Sequence, residues 1–428
     1  MKEWLAVIRA RFHERWFLAL FLLALVPLFP EYICFFLVAG AFSLARKAGP
    51  RRPLRQLIGC VGWLLLLYMA YLLINCIASP TPWFSLATVG MWLFLFLGYL
   101  TLRRLLISRE RLLVFGRLVS CAAGVAGFLA LVQAVGYYGF HIDLSPRFWD
   151  FIDLPLYRFF PSPLDLTLGQ HRSASTFNNP NILCEYLSMT MPFVIYTLIQ
   201  EWEISRSWRQ PRLVFCLVAT LLAAAGVIFS QSRGGHVAFI ALLLVYFMHK
   251  PRRIPLVAVG ILLFFLITPP SAIEKFLNRG GANGGLDSRV DAWKVCLDSF
   301  LRHPIFGLGT GSGTVQQLLT AADIPLPHAH CLWLELMTEG GLIALLVFLA
   351  TPVYLLYQGL HMLRRSESHW EGMLLLAFLT AFFIHGSVDY PLLTPKLVQT
   401  FLSAVAIFDA VAVTGFLTDH KNPLGAVR

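Results

Sequence analysis

Two histidines, two glutamates and a glycine pair fall within the single stretch Pro327-His-Ala-His-Cys-Leu-Trp-Leu-Glu-Leu-Met-Thr-Glu-Gly-Gly341. An imidazole exchanges protons near neutral pH, and a nearby carboxylate can orient it, so these residue types suit general acid–base work. His328 and His330 stand at the mouth of an apolar helix, Glu335 and Glu339 follow at helical spacing, and Leu342–Leu355 beyond them has almost nothing polar. Titrating groups at the edge of hydrocarbon are costly and by default suggest function. The alternative is an interfacial helix end whose polar residues meet water. His-x-His with carboxylates could also hold zinc. The spacing is not that of an HExxH site, and arginines rather than acids fill the neighbouring loops, so no metal ligand is assigned.

Three other stretches carry candidate chemistry. In Gly169–Leu187, Asn179 and Pro180 predict a helix start, an N-cap side chain followed by a residue without an N–H. The unpaired N–H groups there, with Asn181 in the first turn and Arg172 just upstream, suit an anion; a capped helix beside a solvated arginine is the alternative. In Ser230-Gln-Ser-Arg-Gly-Gly-His236 a very short turn holds Arg233 near the membrane plane, where it either snorkels or grips a phosphate with two N–H groups. Gly234 and Gly235 permit a sharp turn or a close approach to a ligand. In Leu286–Pro304, Val290, Trp293, Leu297, Phe300 and Leu301 share one helical face and Asp291, Lys294 and Asp298 the other. This predicts an amphipathic helix over 287–302, lying on the membrane and stopped by Pro304. Arg289 is in its first turn, a poor place for a cation unless an anion meets it. Gly307, Gly309, Gly311 and Gly313 match neither a dinucleotide nor a P-loop fingerprint and read as a flexible turn. His385 and Asp389 end a later apolar run, as supporting partners of the histidines or as interfacial residues.

These residues need a scaffold, and composition says which. The 428 residues are 57% hydrophobic and 13% charged, with a mean hydropathy of +0.69. Soluble domains lie well outside that range; polytopic membrane proteins do not. Apolar runs at 16–29, 31–46, 55–78, 84–102, 112–136, 179–200, 212–230, 234–249, 254–270, 331–358, 371–389 and 395–416 give about twelve spans. The expected fold is therefore an all-α polytopic integral membrane protein, one domain over 1–428, with outer loops at 137–178 and 270–329, the second containing the amphipathic helix. The basic start, with Lys2, Arg9, Arg11 and Arg15, reads as a first anchor that stays in place. One set of alternate loops, with both termini, carries 23 Lys and Arg against ten in the other set. The positive-inside rule puts the first set and both ends in the cytoplasm, and the candidate chemistry on the outer face. The +11 net charge is thus a topology signal and gives no reason to expect nucleic acid. Eight cysteines lie mostly within apolar runs without paired spacing, as buried hydrophobes rather than a disulfide or zinc framework.

In their order, these stretches resemble the O-antigen ligase/polymerase superfamily of bacterial envelope glycosyltransferases. The resemblance rests on Arg172 through Thr-Phe-Asn-Asn-Pro-Asn to Tyr186-Leu187, on Ser232-Arg233-Gly234, on Arg289-x3-Trp293, on His303-Pro304 through Gly307-x-Gly309-x-Gly311, and on His330-x10-Gly341 with Trp333-Leu334 and Glu339. It covers roughly residues 170–345. It implies that His330 is the catalytic histidine and that Arg233 and Arg289, with Arg172, bind the diphosphate of an undecaprenyl-diphosphate-linked glycan. His328, Glu339, Asn181 and Asp389 are then supporting residues. Many relatives have Asn after this histidine where this chain has Cys331, so any role of that Asn is absent or met elsewhere.

The resemblance further implies a bacterial inner membrane, an active site on the periplasmic face, membrane lipids around it, and transfer to a saccharide acceptor without metal or other cofactor. His330 as a neutral base implies activity that falls below about pH 6.5, the ordinary imidazole value. A ligase would deliver the finished glycan to lipid A–core or another terminal acceptor. A polymerase would deliver it to a second carrier-linked unit, and both acceptors offer a sugar hydroxyl. The compact outer loops and the His-x10-Gly helix lean toward the ligase. A transporter or flippase for lipid-linked sugar is the reading from another class; repeated halves and midplane polar residues, which would favour it, are not evident.

Overall fold

The computed structural model describes residues 13–48, 53–144, 172–177, 179–248 and 286–414. Among them every regular element is helical. The helices are α1 Arg15–Leu25, α2 Glu31–Ala48, α3 Leu54–Asn75, α4 Pro82–Leu105, α5 Arg109–Phe140, α6 Pro180–Ser205, α7 Pro211–Ser230, α8 Arg233–Met248, α9 Leu286–Arg302, α10 Ser312–Ala321, α11 Leu332–Leu363, α12 His369–Gly386 and α13 Pro395–Thr414. Six of them are long and apolar enough to cross a membrane: α3 with its 3-10 extension to Ala78, α4, α5, α6, α7 and α11. Helices also occupy the other expected runs that fall among the described residues, but α1 with its 3-10 extension and α8 are shorter. The run 254–270 lies outside the described residues, as do most of 137–178 and 270–285 of the second outer loop.

Local chemistry sets the helix ends. Asn179 caps α6 through Asn181 N–H at 2.7 Å, with Pro180 at N1, and Ser108 caps α5. Each removes an orphan donor from a helix start. α6 is buried along nearly its whole length, because α5, α7, α8, α12 and α13 surround it. α12 lies between α6, α8 and α11, and α13 packs on α4. Arg117, a charge inside an apolar helix, is answered by Glu201 of α6 at 2.7 Å.

α11 is broken at Gly341, whose φ of 64° is open to glycine at little cost. A Cβ there would lie 2.3 Å from Ile305 O. The break releases carbonyls on one side and N–H groups on the other, and the segment after α9 takes them up. Leu308 and Gly309 donate to Thr338 O and Glu339 O, each at 2.8 Å, and Leu342 donates to Pro304 O at 2.8 Å. The first part of the expected flexible turn at Gly307–Gly313 is therefore a fitted one, which the sequence hid because its partner is a helix break about thirty residues on, and Gly313 already belongs to α10. α9 packs on the protein through small residues. Ala292, Cys296 and Ser299 are buried, while Leu297 and Leu301 are exposed.

Candidate active site

The segments before α11 and after α12 meet. His330 Nδ1 lies 2.8 Å from Asp389 Oδ1, and the same oxygen accepts Tyr390 N–H at 3.0 Å. Arg289, in the first turn of α9, donates to Val388 O at 2.7 Å and lies 3.8 Å from Asp389 Oδ2. The anion that a first-turn arginine calls for is thus the protein's own carboxylate. Burial alone would push the Asp389 carboxyl up; the charge and hydrogen bond of His330, then Arg289, outweigh it and hold the group well below the usual carboxylate range.

His328 shapes the turn. Its Nδ1 accepts the backbone N–H of His330 at 3.1 Å, and the two rings lie 3.9 Å apart between centroids. Burial, then the neighbouring His330, keeps His328 well below the ordinary histidine range, consistent with an unprotonated Nδ1. His330 adopts φ 48°, a left-handed conformation that most side chains avoid.

α8 reaches the same place by close packing. A Cβ on Gly235 would lie 2.1 Å from Cys184 Sγ and 3.2 Å from His385 Cε1, and one on Gly234 would lie 2.3 Å from Val388 Cγ2. Small residues let helix backbones approach in this way. The glycine pair therefore serves contact with α6, α12 and the Val388 segment, and the exposed Arg233 precedes it at the start of α8. Arg172 ties the neighbouring turn down: Nε donates to Ser230 O at 2.8 Å and Nη2 to Asn181 Oδ1 at 2.6 Å. Glu339 faces elsewhere, taking a backbone hydrogen bond from Gly311.

Glu185 and His385 join the cluster, although the sequence reading gave Glu185 no part and left His385 open. Donor atoms of Glu185, His385 and Asp389 lie within 4.8 Å of one another, and so do those of His328, His330 and Asp389. The signal for Glu185 is a carboxylate inside an apolar helix one turn past Asn181, a default functional position. The second set is a poor metal site, because His330 and Asp389 already satisfy each other and Arg289 repels a further cation. The first keeps more donor capacity: both His385 nitrogens and Glu185 Oε1 are buried without a hydrogen-bond partner.

The arrangement can do one kind of chemistry directly. With Nδ1–H turned to Asp389, a neutral His330 has its lone pair on Nε2, ready to take a proton. The Arg289 guanidinium borders the pair at Asp389, a charge that a phosphorylated leaving group would also call for. No curated protein matches the chain in sequence. Residues 218–349, which include Arg233, Arg289, His328 and His330, match the family described as O-antigen ligase, in line with the resemblance that the motifs carry.

Proposed function

We propose that the protein transfers a glycan from an undecaprenyl diphosphate carrier to a sugar hydroxyl on the periplasmic face of the bacterial inner membrane. The observation that carries this reading is the His330–Asp389 pair bordered by Arg289, at the end of the helices where carrier-lipid phosphates would lie. Within the match to the O-antigen ligase family, lipid-linked glycan transfer in envelope polysaccharide synthesis is the chemistry to fit.

His330 Nε2 takes the proton of the acceptor hydroxyl as its oxygen attacks the anomeric carbon. The bond from that carbon to the carrier phosphate breaks, and its electron pair leaves with the diphosphate. Arg233 and Arg289 offset the charge that develops there, commonly the largest single contribution to catalysis. General-base help from His330 is worth about a hundred- to ten-thousandfold. Asp389 fixes the tautomer of His330, Arg172 and Asn181 hold the turn that carries Arg233, and His328 holds the backbone of His330. The scheme needs neither nucleotide sugar nor metal.

The acceptor we favour is a terminal one, lipid A–core or its equivalent, as for a ligase. The test is purified protein in lipid with a lipid-linked donor and candidate acceptors, without nucleotide and with a chelator. Glycan on lipid A–core supports the ligase. Chain growth on the carrier alone would replace it with the polymerase, and donor relocated without reaction would point to a transporter.

A further inference from the structure

The peptide just before His330 is gripped from two sides. Ala329, itself fully buried, donates its N–H to Glu335 Oε2 at 2.7 Å, and its carbonyl accepts Trp293 Nε1–H at 2.9 Å. Glu335 belongs to the first turn of α11, whose N-cap Cys331 supplies no side-chain cap. The carboxylate therefore reaches back past the helix start and takes a donor in the turn before it, a place the helix dipole favours. Trp293 stands one turn beyond Arg289 on α9. One helix thus holds the peptide leading into His330 and, through Arg289, the carboxylate on which the imidazole rests. His330 has φ 48°, a conformation that persists only where its surroundings fix it.

We infer that Trp293 and Glu335 are positioning residues for His330, acting through the backbone of Ala329 on the orientation of the imidazole against Asp389. Glu335 does so as a hydrogen-bond acceptor. Neither touches the reacting atoms. The inference rests on the glycan-transfer reading for its kinetic test and on the hydrogen bonds alone for its structural one.

The experiment uses the full chain in lipid nanodiscs, with Trp293→Phe, Glu335→Gln and Glu335→Leu compared with the unaltered protein. Trp293→Phe keeps a ring and loses the N–H; Glu335→Gln keeps an acceptor and loses the charge. A misplacement of part of an ångström supports a loss of about tenfold. The expected result is kcat lowered about tenfold in Trp293→Phe and Glu335→Leu, with KM for the lipid-linked donor unchanged and Glu335→Gln close to the unaltered protein. Hydrogen exchange of the peptide spanning 327–332 is expected to quicken in Glu335→Leu and to stay slow in Glu335→Gln. Full kcat in Trp293→Phe, or Glu335→Gln as impaired as Glu335→Leu, would overturn the inference. If the unaltered protein transfers no glycan, the transferase reading fails by itself. Exchange then decides the grip, and unchanged exchange in Glu335→Leu would refute it.

Discussion

His330 and Asp389 stand 59 positions apart in the chain, yet Nδ1 of the one and Oδ1 of the other are 2.8 Å apart. The carboxylate is oriented from three directions, by His330, by the Tyr390 backbone N–H and by the Arg289 guanidinium. An imidazole held on such a group has one tautomer open to it while neutral, with Nε2 bare. Whatever the acceptor, the proton it loses has one place to go.

Asp389→Asn therefore tests the pair more sharply than removal of the side chain. Asn fills the same volume but carries no charge, and its amide can turn an N–H toward Nδ1 and force the wrong tautomer. We expect kcat to fall about a hundred- to ten-thousandfold, with a smaller change in KM for the lipid-linked donor. Steady-state assays on protein checked for folding would decide, and an unimpaired rate would take Asp389 out of the mechanism.

Arg233 and Arg289 should separate kinetically. Arg289 spends its planar fork on two different groups, Val388 O and Asp389, which a lysine cannot reach together. Arg289→Lys is expected to lower kcat through the His330–Asp389 pair. Arg233 is exposed at the start of α8, so Arg233→Lys is expected mainly to raise KM for the donor. The same kinetic signature in both variants would show that they act as one site.

Much of this scaffold is legible before any coordinates. Hydropathy located the long apolar helices among the described residues, though not α10, and Asn179-Pro180 marked the start of α6 to the residue, because both signals are local. The inward face of α9 was not legible. Its apolar stripe read as the side lying on the membrane, and Leu297 and Leu301 are exposed, but nothing singled out Ala292, Cys296 and Ser299 as the residues buried against the protein. Beside a membrane the largest apolar side chains can face lipid, while small ones allow helices to touch, so an apolar stripe does not mark the face that packs on the protein. The same logic explains Gly234 and Gly235, which read as a sharp turn or a close approach to a ligand and serve a helix contact. Asp389 and His385 could be named but not assigned, since nothing local ties them to His330. Glu185 was passed over because its neighbours offered simpler explanations.

His328 gives the stability of the protein a signature in acid. Its folded value lies below the ordinary 6.5, chiefly through burial, so below that pH the unfolded chain binds the proton that the folded one resists. Its contribution is complete above about pH 6.5 and shrinks as pH falls, by up to about 1.4 kcal/mol per unit. His328→Asn keeps a side-chain acceptor for His330 N–H and removes the titration. The expected outcome is a smaller drop in melting temperature between pH 7.5 and 5 than in the unaltered protein. Equal drops would mean that other groups govern acid sensitivity.

At the other end of the helices a buried ion pair plays a separate part. Arg103 and Asp409 are 1% and 0% exposed and lie 3.0 Å apart, with the Tyr99 hydroxyl 2.8 Å from the same Asp409 oxygen. The group closes around Gly59, where α3 breaks with φ 69°, and Arg103 also donates to the released Gln56 O at 3.2 Å. Removing one charge strands the other in an apolar surrounding, at about 3–5 kcal/mol, whereas replacing both with hydrocarbon of similar volume is often neutral. Asp409→Ala is therefore expected to lower the melting temperature steeply, and Arg103→Met with Asp409→Leu to recover most of it. Because the pair lies at the far end of α4 and α13 from His330, the double variant should turn over at the normal rate per folded molecule. A stable double variant without transfer activity would show instead that this end is coupled to the site.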